Sequence, residues 1–146
     1  MIPAEQMGED MKNMTLTNIA DACNGRLIYP AENSRKETEH AEAVGVVIDS
    51  RKAGENFIFV ATKGERVDGH RFIPDVFAKG ALGVVCEKEP ESLPGPCIVV
   101  EDSFEALKQI GEFYRQQLPV KVVGITGSVG KTSTKEFVAA VLSMKY

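Results

Sequence analysis

Apolar positions along the chain fall into short runs separated by stretches of helical spacing. The runs Arg26–Tyr29, Val44–Ile48, Phe57–Ala61, Ala81–Cys86, Cys97–Val100 and Lys121–Ile125 have strand length, and most are β-branched or aromatic. Glycine, proline and acidic residues bound them, which predicts strands, those at 44–48 and 57–61 being buried. Between them lie helical patterns. Asn18–Asn24 carries Ile19, Ala20 and Cys23 on one face, with Thr17 as its cap and Gly25 as its left-handed stop. Phe72–Lys79 turns Phe72, Val76 and Phe77 inward and ends at Gly80. A longer helix runs from a Ser103 cap to Leu118, with Leu107, Ile110, Gly111 and Tyr114 on its inner face. Lys131–Met144 is the last, with Phe137, Val138, Val141 and Leu142 together. Pro30–His40 is charged and poor in apolar residues, which predicts a loop. Ala53-Gly54-Glu55 predicts a turn after which the chain returns as the Phe57–Ala61 strand.

Strands alternating with helices predict an α/β fold. Residues 1–13 are polar and methionine-rich and read as a disordered lead-in, with Met14 a candidate start. Residues 14–119 hold a complete small α/β unit, and Pro119-Val120 marks a boundary. Residues 120–146 hold only the opening strand–loop–helix of a second unit, which reads as a domain cut short. No internal repeat is present.

Composition narrows the function. At 146 residues and net charge −4, with basic residues scattered, the chain is not patterned for nucleic acid. No apolar run approaches the about 20 residues that span a bilayer, and no charged-then-apolar leader precedes the first unit. Cys23, Cys86 and Cys97 are odd in number and lack metal-ligand spacing. Buried, reduced thiols of a cytoplasmic protein are the simplest account.

The chemistry concentrates in Val122-Val123-Gly124-Ile125-Thr126-Gly127-Ser128-Val129-Gly130-Lys131-Thr132-Ser133. A β-branched run enters a glycine-rich turn, and a lysine, two hydroxyls and a helical pattern follow. Glycines let consecutive N–H groups face inward as an anion nest, and a helix N-terminus adds its unpaired donors. Lys131 suits the outer phosphates, and the Thr132 hydroxyl suits Mg²⁺. The spacing departs from the general Walker pattern, because Ile125 stands where its first glycine belongs and Gly124 falls one position earlier.

Upstream, the strand ending at Ile48 runs into Asp49-Ser50-Arg51, and the strand ending at Ala61 runs into the polar loop Thr62–His70. Loops at the ends of buried strands are where ligands sit in open α/β sheets. Two readings of these residues stand. Arg51 or Arg66 pairs with a diphosphate while Ser50 bonds a base or ribose edge; or Asp49–Arg51 is a structural ion pair and Lys63–His70 a solvated turn. Asp68 suits a turn former that holds Gly69, and His70 a structural hydrogen-bonder. Glu65 and Asp68, with no further ligands, do not make a metal site.

Gly124 to Glu136 resembles the ATP loop of the Mur ligases of peptidoglycan synthesis, whose core is Thr-Gly-(Thr/Ser)-x-Gly-Lys-(Thr/Ser). That core accounts for Ile125. Ser128-Val129 and Lys135-Glu136 are most similar to the branch that joins D-alanyl-D-alanine to a UDP-linked tripeptide. Asp49-Ser50-Arg51-Lys52, followed by Phe59-Val60-Ala61-x-Lys63-Gly64-Glu65-Arg66-x-Asp68-Gly69-His70-x-Phe72-Ile73, is similar to its N-terminal UDP-binding domain. The resemblance implies a bacterial cytoplasmic, ATP- and Mg²⁺-dependent ligase, monomeric at full length, whose substrates are UDP-N-acetylmuramoyl-tripeptide and D-alanyl-D-alanine. It implies ATP contacts from Thr126, Gly127, Ser128, Val129, Gly130, Lys131, Thr132 and Ser133, with Lys131 and Thr132 catalytic and Thr132 on the metal. UDP contacts fall to Ser50, Arg51, Lys63, Gly64, Glu65, Arg66 and Val67. Such ligases have three domains and about three times this length, so this chain alone is expected to be inactive. The alternatives are a non-catalytic UDP-sugar-binding module, the preceding-step Mur ligase, and a small phosphate-loop kinase. The last needs an apolar run ending in aspartate, which the residues after the loop do not contain. A folate polyglutamylating ligase shares the loop core but not the segment from Asp49 to Ile73.

Overall fold

A computed structural model describes residues 11–119. The phosphate loop at 126–133, the expected strand at 121–125 and the expected helix at 131–144 lie outside the described residues, as does most of the 1–13 lead-in. Five strands form one sheet in the order β1-β5-β4-β3-β2. They are β1 (Arg26–Ile28), β2 (Gly45–Val47), β3 (Phe57–Val60), β4 (Gly83–Cys86) and β5 (Cys97–Val99). Strands β2 to β5 pair in parallel, and β1 closes the far edge antiparallel to β5.

Period-two alternation splits these strands between two cores. Ile58, Val60, Val85 and Ile98 face one side. There they meet Leu16 and Ile19 of α1 (Leu16–Ala22) and Ala106 and Ile110 of α4 (Ser103–Gln117). Phe59, Val84, Cys86 and Cys97 face the other side and meet Ile73 and Val76 of α3 (Ile73–Ala78). Covering a mostly parallel sheet on both faces leaves one open place for polar loops, the ends of the strands.

Several local expectations are corrected. Pro30–His40 is not all loop: α2 spans Glu32–Thr38 but buries no residue, so no apolar period announced it. Thr15, not Thr17, caps α1 by accepting from the Asn18 N–H. Asn24 takes the left-handed conformation (φ 53°) expected of Gly25. At Gly25 a Cβ would collide with the Ile98 side chain, so glycine serves close packing there. Asp102, not Ser103, caps α4. Gly111 faces solvent, and Ser103, Ala106 and Ile110 form the buried line. Strand β2, in the 44–48 run, is half-buried rather than buried, at the edge of the sheet among the described residues. It does not double back into β3 but reaches it in parallel through a short 3-10 turn at Ser50–Lys52. Met11 and Asn13, expected within the disordered lead-in, are bonded through their N–H groups to Ala43 O (2.9 Å) and Glu42 Oε1 (2.7 Å).

Candidate functional site

The parallel strands β2 and β3 end side by side, and the segments that follow them form the two walls of a cleft of about 480 Å³. Ile48, Asp49, Ser50 and Arg51 line one wall. Thr62, Gly64, Val67 and Gly69 line the other, and Phe72 also borders the cleft.

The first wall is held by its own carboxylate. Asp49 Oδ1 accepts the Arg51 backbone N–H at 3.0 Å, capping the turn. The same oxygen accepts Arg51 Nε at 3.0 Å, and Oδ2 accepts Nη2 at 2.8 Å. This fork holds the Asp49 carboxyl down at about 2 and raises the Arg51 guanidinium. The ion-pair reading of Asp49–Arg51 is therefore present. It uses one edge of the guanidinium and leaves the other Nη donors on a side chain that is 86% exposed.

The second wall is a closed loop. Lys63 and Asp68 pair as an isolated bridge, Gly64 N–H donates to Val67 O at 2.9 Å, and Gly69 N–H donates to Thr62 O at 2.8 Å. Asp68 Oδ1 accepts the His70 backbone N–H at 3.0 Å and faces His70 Nδ1 at 2.6 Å. These bonds, the backbone one first, lower the Asp68 carboxyl. Asp68 is thus a turn former, as its place before Gly69 suggested. His70 Nε2 in turn accepts the Glu87 backbone N–H at 2.9 Å. The Glu87 carboxylate reaches onward and accepts both the N–H (3.0 Å) and the hydroxyl (2.9 Å) of buried Ser103 at the start of α4.

Of the residues expected to contact UDP, Ser50, Arg51, Gly64 and Val67 come together in the cleft. Lys63, Glu65 and Arg66 sit on the exposed rim of the same loop and do not line it. Ile48 and Phe72 line it although their sequence positions assigned them to a strand and to a helix's inner face. Ile48 (52% exposed) and Val67 (47%) are large apolar side chains left in solvent at opposite walls. Apolar lips, hydroxyls from Ser50 and Thr62 and a partly free guanidinium suit a flat polar ring carrying an anionic tail. Cys86 and Cys97 are free and buried on the α3 side. The Cys86 partner and burial push the Cys97 thiol up, which makes it a poor nucleophile.

A family model described as the Mur ligase family, catalytic domain, matches residues 42–124, more than half of the chain and both walls of the cleft. The chain belongs to the Mur ligase family. It is similar to curated members of that family. It is 37% identical over 141 residues to the UDP-N-acetylmuramoyl-tripeptide–D-alanyl-D-alanine ligase of Bacillus subtilis, covering 93% of this chain and 29% of that protein. It matches a crystal structure of MurF from Acinetobacter baumannii with TM-score 0.78 and 31% identity, over 94% of this chain and 29% of that one. MurF ligase from Thermotoga maritima, solved in complex with ADP, matches with TM-score 0.62 and 35% identity, over 68% of this chain and 23% of that one. The chain thus spans less than a third of the length of these Mur ligases.

Proposed function

We propose that this chain supplies the nucleotide-sugar-binding unit, 14–119, and the opening of the ATP-binding unit, 120–146, of a ligase that joins D-alanyl-D-alanine to UDP-N-acetylmuramoyl-tripeptide. The cleft between Asp49–Arg51 and Thr62–Gly69 supports this reading most directly, since the segments most similar to the family's UDP-binding domain form its two walls. In it the uracil and ribose lie between the lips, near Ser50, and the diphosphate meets the free edge of Arg51. Lys63, Glu65 and Arg66 stand on the rim, where a longer ligand passes. A bacterial cytoplasmic location and a monomeric full-length enzyme follow from the same reading.

In the ligation, the tripeptide carboxylate takes the γ-phosphoryl group of ATP and releases ADP. The D-alanyl-D-alanine amine then attacks the acyl phosphate carbonyl, forms the amide, expels phosphate and loses a proton. The donor set from Thr126 to Ser133 has the chemistry for the first step: backbone amides and Lys131 for the phosphates, and the Thr132 hydroxyl for Mg²⁺. Mg²⁺ supplies charge neutralisation on the phosphates. That the Thermotoga maritima relative was solved in complex with ADP supports nucleotide binding.

The test uses the full-length protein that contains this chain. Given Mg-ATP, UDP-N-acetylmuramoyl-tripeptide and D-alanyl-D-alanine, it forms the UDP-linked pentapeptide with one ADP per amide. Lys131→Ala lowers turnover by orders of magnitude. No pentapeptide, or near-normal turnover by that variant, contradicts the reading.

A further inference from the structure

The His70 imidazole connects the segments that follow the paired strands β3 and β4, beyond the point where the strand pairing ends. One is the loop of the second wall, and the other is the residue after β4 that holds the start of α4. The Glu87 N–H can only donate, so His70 Nε2, 2.9 Å away, must carry a lone pair. The ring proton then sits on Nδ1, facing the Asp68 carboxylate at 2.6 Å. A single neutral tautomer satisfies both bonds. Asp68 also caps the His70 backbone and pairs across the loop with Lys63, while Gly69 closes the loop's neck on Thr62. Glu87's carboxylate is already committed to Ser103, so its main chain is a fixed post. His70 itself is 18% exposed and does not line the cleft.

We propose that His70 is the positioning residue of the nucleotide-sugar loop: its Nδ1–H tautomer fastens Asp68 to the Glu87 main chain and so holds Thr62–Gly69 in binding shape. The role presupposes that the cleft takes the uridine diphosphate end of the substrate. His70 acts through the loop, not on the ligand, and with both ring nitrogens engaged it is not a general base.

The test uses the whole 146-residue chain, with UDP as the probe in calorimetry and ¹⁵N spectra of the labelled imidazole at pH 8. The ring nitrogens report Nδ1 protonated and Nε2 bare. Wild type binds UDP, and His70→Ala binds about tenfold more weakly, the size of one or two lost hydrogen bonds. His70→Asn, which keeps a donor toward Asp68 and loses the Nε2 acceptor, falls between them and serves as the measured variant if His70→Ala does not fold. A proton on Nε2, or UDP affinity in both variants within twofold of wild type, overturns the role while leaving the cleft in place. No UDP binding by the wild-type chain overturns the cleft reading and the role together.

Discussion

The Lys79 ammonium donates to the Ser50 carbonyl oxygen at 2.8 Å, tying the C-cap of α3 to the turn that forms the first wall of the cleft. The bond crosses 29 residues of sequence and adds a second donor to a carbonyl that also accepts the Ala53 N–H at 3.3 Å. Lys79→Met keeps the aliphatic stem and deletes the donor. It should weaken UDP binding about three- to tenfold, on the order of one hydrogen bond, with little change in melting temperature. Calorimetry beside a thermal melt separates the two effects. Unchanged affinity would remove Ser50's turn from the site.

The Asp49–Arg51 fork makes a prediction about acid. The folded carboxyl titrates at about 2, below the about 3.9 of an unfolded chain. The pair's contribution is therefore complete above about pH 4 and is lost as pH falls toward 2. The Arg51 side chain is exposed and that of Asp49 partly so, so the effect is small and screened by salt. In low salt, the melting temperature of wild type should fall more steeply between pH 4 and 2 than that of Asp49→Asn. Parallel curves would mean the fork does not form in solution.

Gly69 cannot carry a side chain. A Cβ there would lie 2.9 Å from Thr62 O, 3.0 Å from Thr62 N and 3.2 Å from Ala61 Cα, all backbone atoms that no rotamer change can move. Gly69→Ala should cost about 1–3 kcal/mol, as overpacking does, and should reduce UDP affinity by displacing the second wall. Denaturant unfolding and UDP titration of one preparation test both. A stable variant with normal affinity would show that the loop has slack.

Helix α4 offers a paired test of its orientation. Ile110 is buried against the sheet, and its neighbour Gly111 has nothing within 4 Å of an added Cβ. Ile110→Ala should destabilise by about 2–5 kcal/mol through the cavity left behind. Gly111→Ala should stabilise by about 1 kcal/mol, the difference in helix propensity. Chemical denaturation measures both, and a destabilising Gly111→Ala would turn the helix over.

The strands were legible because each is an apolar run bounded by turn residues, and 57–60 and 83–86 carry the pattern almost undiluted. Helix α2 was not, because Glu32–Thr38 buries nothing and is stabilised without an apolar face. The caps moved by one or two residues where hydroxyl and carboxylate candidates stand close together, as Asp102 and Ser103 do. Ser103 lost the capping role because its hydroxyl is buried against Glu87, a contact across 16 residues that spacing cannot reveal. The same holds at the cleft. Ser50, Arg51, Gly64 and Val67 were readable as residues after strand ends, whereas the parallel pairing of β2 with β3 decides that they face one another. Lys63 and Arg66 carry the right charge, but the bonds that close the loop leave them on its rim.

The most direct measurement is a titration of UDP-N-acetylmuramoyl-tripeptide into the ¹⁵N-labelled chain, followed amide by amide. Shifts concentrated at Ile48–Arg51 and Thr62–Gly69 are the predicted result. Shifts centred instead on the neighbouring cleft of about 400 Å³, read at the amides of His70, Arg71, Ile73, Lys88, Glu89 and Ser92, or no shifts at all at millimolar ligand, would contradict it.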